Sequence, residues 1–296
     1  MFKKFSFKIR INVALIVFIT LAIQFILTYI LFFSIFTEDF KQKSDELGNQ
    51  ISNHVTLRLQ YVEEAVRIFC SDHDIQNALE NFDSSLTNNM SSLTATGDIR
   101  GGFINGEKHS YYFSSEYIRD FSHFFDYVAP QFKHANKSGY WSLYNSRSAE
   151  KGSYLLYSYV IRDDNMVPIG VLSVDVSLQN LYDSPEKIAA DLMEYTSVYI
   201  SSQEGDKKIF LGNEDAENLN SEALLKTYLY ADNLQINTVS TFDYIQEKLT
   251  FVIVLMITIL AVTLISLFII LYVYSAHLTK RMTDLTYRMN NFIDRQ

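Results

Sequence analysis

Two long apolar stretches frame the chain and predict two membrane-spanning helices. Residues 251–274 contain no charged side chain. About 24 residues at a helical rise of about 1.5 Å each are long enough to cross the hydrocarbon core of a bilayer. Residues 11–36 form a second uncharged run of about 26 residues, whereas the apolar part of a cleavable signal peptide has only about 7–15. We therefore predict that this first run is an uncleaved signal anchor.

A second pattern follows the second span, where apolar residues recur at alternating spacings of four and three. This is the a and d spacing with which a helix packs on a partner helix. We therefore predict a coiled-coil-like helix over residues 275–296, packed in a homodimer and able to pass a signal from the membrane. The predicted signal-transmission seam consists of Leu278, Met282, Leu285 and Met289, with Phe292 continuing the pattern.

Between the spans, residues 37–250 predict a mixed α+β domain. A long amphipathic helix is predicted from residue 38 to about residue 79, because an apolar stripe with spacings of four and three alternates with charged residues. The stripe consists of Ile51, Val55, Leu59, Val62, Val66 and Phe69.

Runs rich in β-branched and aromatic residues predict antiparallel strands after this helix. The residues between 84 and 98 are rich in Ser, Thr and Asn and predict a loop with at most one helical turn. The turn Asp163-Asp164-Asn165 predicts a hairpin. Short helices are predicted over 116–132, 185–194 and 221–226, and strands over 103–104, 111–114, 140–144, 154–161, 167–176, 197–201, 208–211, 227–230 and 236–239.

These elements predict an α+β membrane protein with five segments. A small membrane-proximal lobe is expected after a larger membrane-distal one. The segments are a basic N-terminus (1–10), the first transmembrane helix (11–36), the exterior domain (37–250, with a long helix and distal lobe at 37–182 and a proximal lobe at 183–250), the second transmembrane helix (251–274) and the coiled-coil-like helix (275–296).

The charge distribution predicts which parts face the cytoplasm. The formal net charge is −9, but residues 1–10 carry +4 and residues 275–296 carry +2, which leaves −15 for residues 37–250. By the positive-inside rule, both termini are predicted to be cytoplasmic and the acidic middle to lie outside. An acidic exterior domain excludes nucleic acid as its expected partner, because phosphates would be repelled.

The single cysteine, Cys70, excludes an intrachain disulfide. An exterior domain without disulfides must be held together by its hydrophobic core. We therefore expect a multi-pass protein of the bacterial plasma membrane, and we expect Cys70, on the apolar face of its helix, to be a buried structural thiol.

The order of strands near residues 141–182 resembles the double Cache sensor domain. The run Ile169-Gly170-Val171-Leu172-Ser173-Val174-Asp175-Val176-Ser177-Leu178 is similar to the strand that ends the membrane-distal lobe in that family. The stretch from Leu278 to Phe292 resembles the first helix of a HAMP linker. Together these segments resemble the N-terminal half of a bacterial sensor histidine kinase, which implies PAS-like antiparallel sheet lobes between two transmembrane helices.

The resemblance also implies a ligand site. Amino-acid-binding Cache domains use a carboxylate at the position that Asp175 resembles to hold the ligand's ammonium group. From the residues alone, Asp175 equally fits a helix cap or a pair with a basic side chain, because a buried charge needs a partner. The aromatic candidates for the pocket lining, each of which also fits a core position, are Trp141, Tyr144, Tyr157 and Tyr159.

The sequence is compatible with several ligands and several signalling outputs. The ligand is expected to be an amino acid, a sugar or an organic acid, or a ligand-loaded binding protein that docks on the domain. The leading interpretation is the receptor portion of a two-component histidine kinase. The alternatives are a chemoreceptor or cyclic-dinucleotide receptor with the same input half, and a membrane-anchored envelope scaffold without a signalling role.

Catalytic chemistry has no support in the sequence. The six histidines show no metal-ligand spacing, and no nucleophile elbow, kinase phosphate motif or cofactor motif is present. We therefore predict no catalytic residues, no metal and no cofactor in this chain.

Overall fold

The computed structural model describes residues 2–106, 108–113, 138–145, 153–182, 190–202, 207–211, 223–231 and 234–293. The chain divides into two compact units. One consists of Met1–Phe40 and Asp243–Gln296, and the other is Lys41–Phe242. The predicted helix over 116–132, and all of 185–194 except its last five residues, lie outside the described residues.

The first unit is built from the two long helices. Helix α1 is Phe2–Cys70, which contributes residues to both units, and the last helix, α6, is Asp243–Ile293. Both contain a window that is long and apolar enough to cross a membrane, and none of either window is buried. An exposed helix that is apolar all round suits lipid better than water. Polar hydroxyls within these windows, such as Thr20, Thr258 and Thr263, donate to carbonyls of their own helix.

In the second unit, α1 buries one stripe of side chains. The predicted stripe is confirmed from Ile51 to Val66, where each of its members is at most 4% exposed. It ends on Cys70 rather than on Phe69, because Cys70 is buried and Phe69 only half-buried. The predicted burial of Cys70 is therefore confirmed, and this burial raises the pKa of its thiol.

Short helical elements connect α1 to the first sheet. They are α2 (His73–Glu80), α3 (Ser85–Ser91) and a 3-10 helix (Ser92–Thr96). The Asp72 side chain caps α2 by accepting from the Asp74 backbone N–H. The prediction of a loop over 84–98 was therefore wrong in extent, since most of these residues are helical.

The first sheet has five antiparallel strands in the order β2-β1-β5-β4-β3. The predicted hairpin between the fourth and fifth strands is confirmed, with the Asp163 side chain accepting from the backbone N–H groups of Asn165 and Val167. The strands are β1 (Ile99–Gly106), β2 (Ser110–Phe113), β3 (Gly139–Asn145), β4 (Ser153–Arg162) and β5 (Pro168–Val176).

The two faces of this sheet have different neighbours. Directly opposite residues of antiparallel strands point to the same face, so the pairing of Val174 with Gly102 and Tyr157 places these three on one face. This helix face packs on α2, where the Tyr111 hydroxyl donates to the Ala78 carbonyl, and on α1, where Trp141 Nε1 donates to Glu63. The far face carries the alternate positions, among them Asp175 with its neighbours Gly101 and Leu156.

The second sheet has four antiparallel strands in the order β7-β6-β9-β8. Two short helices, α4 (Leu178–Tyr182) and α5 (Ala190–Met193), precede it. A buried hydroxyl ladder joins it to α1: Ser44 donates to Ser240, which also bonds to Thr196. The strands are β6 (Thr196–Ser202), β7 (Lys208–Leu211), β8 (Ala223–Tyr230) and β9 (Leu234–Thr241).

One predicted element of this sheet was wrong. Residues 221–226 were predicted to be helical, but from Ala223 onward they belong to β8. Leu225 and Leu229 are 55% and 74% exposed on the outer side of this edge strand. Ala223, Leu224, Leu225 and Lys226 all favour a helix locally, but the burial along the strand alternates with period two.

Candidate functional site

The candidate site is built around Asp175, near the end of the central strand β5. Gly101 of β1 and Leu156 of β4 flank it on the far face. The residue is only 1% exposed. A carboxylate buried to this degree needs a compensating charge and hydrogen bonds.

Arg100 supplies that charge from a β-bulge. The register of β1 against β5 shifts between Ile99 and Gly101, so Arg100 stands opposite no residue of β5. Its Nη2 donates to Asp175 Oδ1 at 3.0 Å, and its Nε lies 2.9 Å from Oδ2 in an ion-pair contact that is not an aligned hydrogen bond. The Arg100 side chain is 39% exposed, whereas that of Asp175 is 2% exposed.

The guanidinium has a second support in Tyr154, because its central carbon lies 5.8 Å from the centre of the Tyr154 ring. A cation at this distance is attracted by the negative face of the ring. Burial raises the pKa of Asp175 from 3.8 to about 6, although the charge and the hydrogen bond of Arg100 act in the opposite direction. The sequence allowed Asp175 to cap the next helix or to pair with a basic side chain, and the pairing is confirmed. At the start of the next helix, it is the Ser177 hydroxyl that accepts from the Asn180 N–H.

The rest of the far face is apolar with a few hydroxyls. Ser158 and Ser173 bond to each other at 2.7 Å. The Ser142 hydroxyl, opposite Leu156 in the same row as Asp175, is buried and has no hydrogen-bond partner among the described residues. The apolar part is a buried core cluster whose members are at most 8% exposed: Phe103, Tyr154, Leu156, Val160 and Val171, with Tyr112 and Tyr140 packed against it.

The structure does not bring Trp141, Tyr157 and Tyr159 together with Asp175. Trp141 and Tyr157 are opposite each other on the helix face, with ring centres 4.8 Å apart. Tyr159 is opposite Leu172 on the same face. Asp175 lies on the far face, and the Tyr144 side chain lies outside the described residues. The prediction that Trp141, Tyr157 and Tyr159 line one pocket with Asp175 is therefore corrected.

The aromatic residues on the helix face instead form a link between the two sheets, which the sequence did not reveal. Glu63 of α1 accepts from Trp141 Nε1 at 2.6 Å and from the Tyr230 hydroxyl at 2.9 Å, both at Oε1. Trp141 belongs to β3 and Tyr230 to β8. Burial, followed by the charge of Glu63, raises the pKa of both Tyr157 and Tyr230. One helix carboxylate thus ties both sheets to α1.

Replacing Glu63 by leucine is expected to lower the stability of the chain by about 1–3 kcal/mol, because two buried donors lose this acceptor. Glu63→Gln should cost less, since its amide oxygen still accepts. The Tm of the 296-residue chain in lipid nanodiscs should follow the order wild type, Glu63→Gln, Glu63→Leu. In a Tyr230→Phe background, the difference between wild-type and leucine variants should shrink; an unchanged difference would show that the Tyr230 bond contributes nothing.

A second arginine–aspartate pair lies on the side of the sheet that packs on α1. Arg58 Nη1 donates to both carboxylate oxygens of Asp98, at 3.1 and 3.2 Å. The side chain of Arg58 is 42% exposed and that of Asp98 is 3% exposed, nearly the same as in the Arg100–Asp175 pair. Burial and the neighbouring Arg58 lower the pKa of His54, while Asp98 acts in the opposite direction. This pair provides a matched control for experiments on Arg100.

The predicted signal-transmission seam lies on α6 in the first unit. Leu278 and Met282 are each 45% exposed, and Leu285 is 58% exposed, while the Met289 side chain lies outside the described ones. These three side chains are thus accessible in the single chain, and their packing on a partner helix stays a prediction.

A polar depression of about 470 Å³ lies elsewhere, between α2 and α3, and contains none of the predicted site residues. Among the described residues, no group of three or more His, Cys, Asp or Glu side chains is arranged to hold a metal ion. The depression is lined by Asp74, Asn77, Ala78, Asn81, Phe82, Asp83, Ser85, Leu86 and Asn89.

No family model and no curated protein matches the chain. Among solved structures, it is similar to the ligand-binding domain of the Pseudomonas fluorescens chemoreceptor CtaA in complex with L-serine, with 16% identity, a TM-score of 0.44 and coverage of 70% of this chain and 99% of that one.

Two further likenesses are of the same kind. The periplasmic domain of Vibrio cholerae LuxQ has 14% identity, a TM-score of 0.42 and coverage of 67% and 99%. The ligand-binding domain of the Pseudomonas aeruginosa PAO1 amino acid chemoreceptor PctC in complex with GABA has 13% identity, a TM-score of 0.45 and coverage of 69% and 99%.

Proposed function

We propose that this chain is the sensing and membrane portion of a signalling receptor, and that it binds a small molecule at the Arg100–Asp175 end of the five-stranded sheet. The observation that carries the proposal is the ion pair itself. It combines a buried carboxylate with a guanidinium that is 39% exposed. A few convergent polar groups beside an apolar, aromatic surface are typical of small-molecule sites.

The architecture supports a receptor. The second unit, Lys41–Phe242, is a mixed helix-and-sheet body, and the residues flanking it in sequence belong to helices long and apolar enough to cross a membrane. A signal must act through such an arrangement by binding two conformations with different affinity. The Glu63 link between β3, β8 and α1 offers a route, because β3 is part of the sheet that carries Asp175.

The proposal is tested by screening the 296-residue chain in lipid nanodiscs against amino acids, sugars and organic acids by thermal shift and calorimetry. At least one compound should raise the Tm, and Arg100→Ala should abolish this effect while Arg58→Ala retains it. If no compound raises the Tm, or if Arg58→Ala abolishes binding as fully as Arg100→Ala does, sensing at this site is refuted.

The proposed output is a histidine kinase. The apolar a and d spacing of Leu278, Met282 and Leu285, on a helix continuous with the second apolar stretch, supports a transmission helix, which a kinase, a chemoreceptor and a cyclic-dinucleotide output all need. The DNA downstream of the Gln296 codon tests this part separately. A kinase core would support it, whereas a chemoreceptor or cyclic-dinucleotide domain would overturn the output and leave the sensing site untouched.

A further inference from the structure

Resting on the proposed sensing function, we infer that the site takes a carboxylate, which Arg100 binds directly and Asp175 only positions. This reverses the role that resemblance suggested for Asp175, namely to hold an ammonium group.

The first reason is that the Asp175 carboxylate is already engaged. Both of its oxygens face nitrogens of Arg100, at 3.0 Å from Oδ1 and 2.9 Å from Oδ2. A ligand ammonium would have to displace the guanidinium from these oxygens or share them with it. Two like charges at such a separation repel each other, and more strongly where the surroundings exclude water. An ammonium ligand is therefore disfavoured while the pair is closed.

The second reason is that Arg100 keeps donors for a further anion. A guanidinium carries five N–H donors in a fixed fork. The contacts to Asp175 use Nε and Nη2, and Nη1 makes no hydrogen bond to any described residue. The side chain is 39% exposed, so part of it is in contact with solvent. Arginine binds carboxylates well because its fork matches their two oxygens.

The third reason is preorganisation. Asp175 holds the guanidinium at one end, and the Tyr154 ring lies 5.8 Å from its central carbon. A long side chain that is already fixed loses less conformational entropy when a ligand binds. Arg100 is the cation in direct contact with Asp175. The strongly negative net charge of residues 37–250 acts over longer distances, and salt at physiological strength screens it beyond about 8 Å.

The test uses three probes of nearly equal shape and different charge: propionate, propionamide and propylammonium. Calorimetry on the 296-residue chain in nanodiscs should show binding of propionate above that of propionamide, and no binding of propylammonium. Arg100→Ala should weaken propionate binding by about 10- to 100-fold, as expected for the loss of charge-assisted hydrogen bonds. Arg58→Ala, which removes the similarly exposed arginine of the other pair, should leave it unchanged.

Two variants of Asp175 separate positioning from direct contact. Asp175→Asn keeps a carbonyl oxygen that accepts from Arg100, so it should retain most of the propionate affinity that Asp175→Ala loses. If propylammonium binds and both variants abolish its binding, Asp175 holds a cation and the inference is overturned.

The screen distinguishes this failure from a failure of the sensing proposal. If a sugar or amino acid binds in an Arg100-dependent manner and propionate does not, the carboxylate inference is overturned and sensing stands. If neither propionate nor any compound of the screen binds, both are overturned.

Discussion

Gly102→Ala is expected to lower the Tm of the chain by about 2–12 °C, because the new methyl group has no space in the sheet. A Cβ at this position would lie 2.3 Å from the backbone oxygen of Ser173 and 3.0 Å from the Phe113 ring. The backbone oxygen belongs to β5 and cannot rotate away as a side chain can. Overpacking of this kind costs about 1–3 kcal/mol, and each kcal/mol corresponds to about 2–4 °C in a domain of 150–250 residues.

Gly170→Ala provides the matched control. It lies in β5 on the same face, and its Cβ would meet Asn105 O and Leu79 Cδ1 at 3.1 Å each. These contacts are tight but need only a small shift, so the Tm should fall by clearly less than in Gly102→Ala. Thermal unfolding of both variants in nanodiscs checks the order. Equal decreases would contradict the view that the approach of β1 to β5 is fixed by the missing side chain at Gly102.

The alternation within a single strand was predictable from the sequence. In β5, Val171, Ser173 and Asp175 fall on one face, as the period of two requires. The face of Trp141 relative to Asp175 was not predictable in this way. It depends on the register by which β3 pairs with β4 and β4 with β5, and a shift of one residue exchanges the faces. Because the register was unknown, Trp141, Tyr157 and Tyr159 were predicted to share a pocket with Asp175, although they lie on the opposite face of the sheet.

Arg100 was missed because no local pattern marks it. The sequence Arg100-Gly101-Gly102 indicates only the start of a short strand between glycines. The bulge that places Arg100 beside Asp175 arises from the pairing of β1 with β5, residues about 75 positions apart. Glu63 was missed for the same reason, since its two donors lie far away in the chain. The one available signal was the requirement of a buried carboxylate for a partner.

The Arg100–Asp175 pair and the hydrogen bonds of Glu63 lie on opposite faces of the five-stranded sheet. Strand β3 carries Ser142 toward the row of Asp175 and Trp141 toward Glu63. A ligand that shifts β3 therefore acts on both sides of the strand, because consecutive side chains share one backbone. Glu63 also binds Tyr230 of the second sheet. Strand β3 therefore connects the proposed site to α1, and the aromatic residues need not touch the ligand.

The stability of the chain is expected to decrease as the pH rises from about 4 to about 6, by an amount that Asp175→Asn removes. Burial raises the pKa of Asp175 from 3.8 to about 6 in the folded chain. The folded state therefore binds this proton more tightly than the unfolded state does. The resulting stabilisation is complete below pH 3.8 and is lost as the pH rises through about 6. The difference corresponds to about 3 kcal/mol, since one pKa unit equals about 1.4 kcal/mol.

The variant isolates this effect from other acids. Glu64 and Asp83, which are exposed, have lowered pKa values and act in the opposite direction. Among the described residues, the groups in contact with Asp175 and its partner are Arg100, from the bulge of β1, and Tyr154, from β4, whose ring lies beside the guanidinium. The measured quantity is the Tm difference between wild type and Asp175→Asn in nanodiscs across this pH range. It should favour wild type more at low pH and shift toward the variant by several degrees at neutral pH. If the Tm of wild type and that of Asp175→Asn change with pH in parallel, Asp175 keeps an ordinary pKa. The Arg100 guanidinium would then fully compensate the burial of the carboxylate.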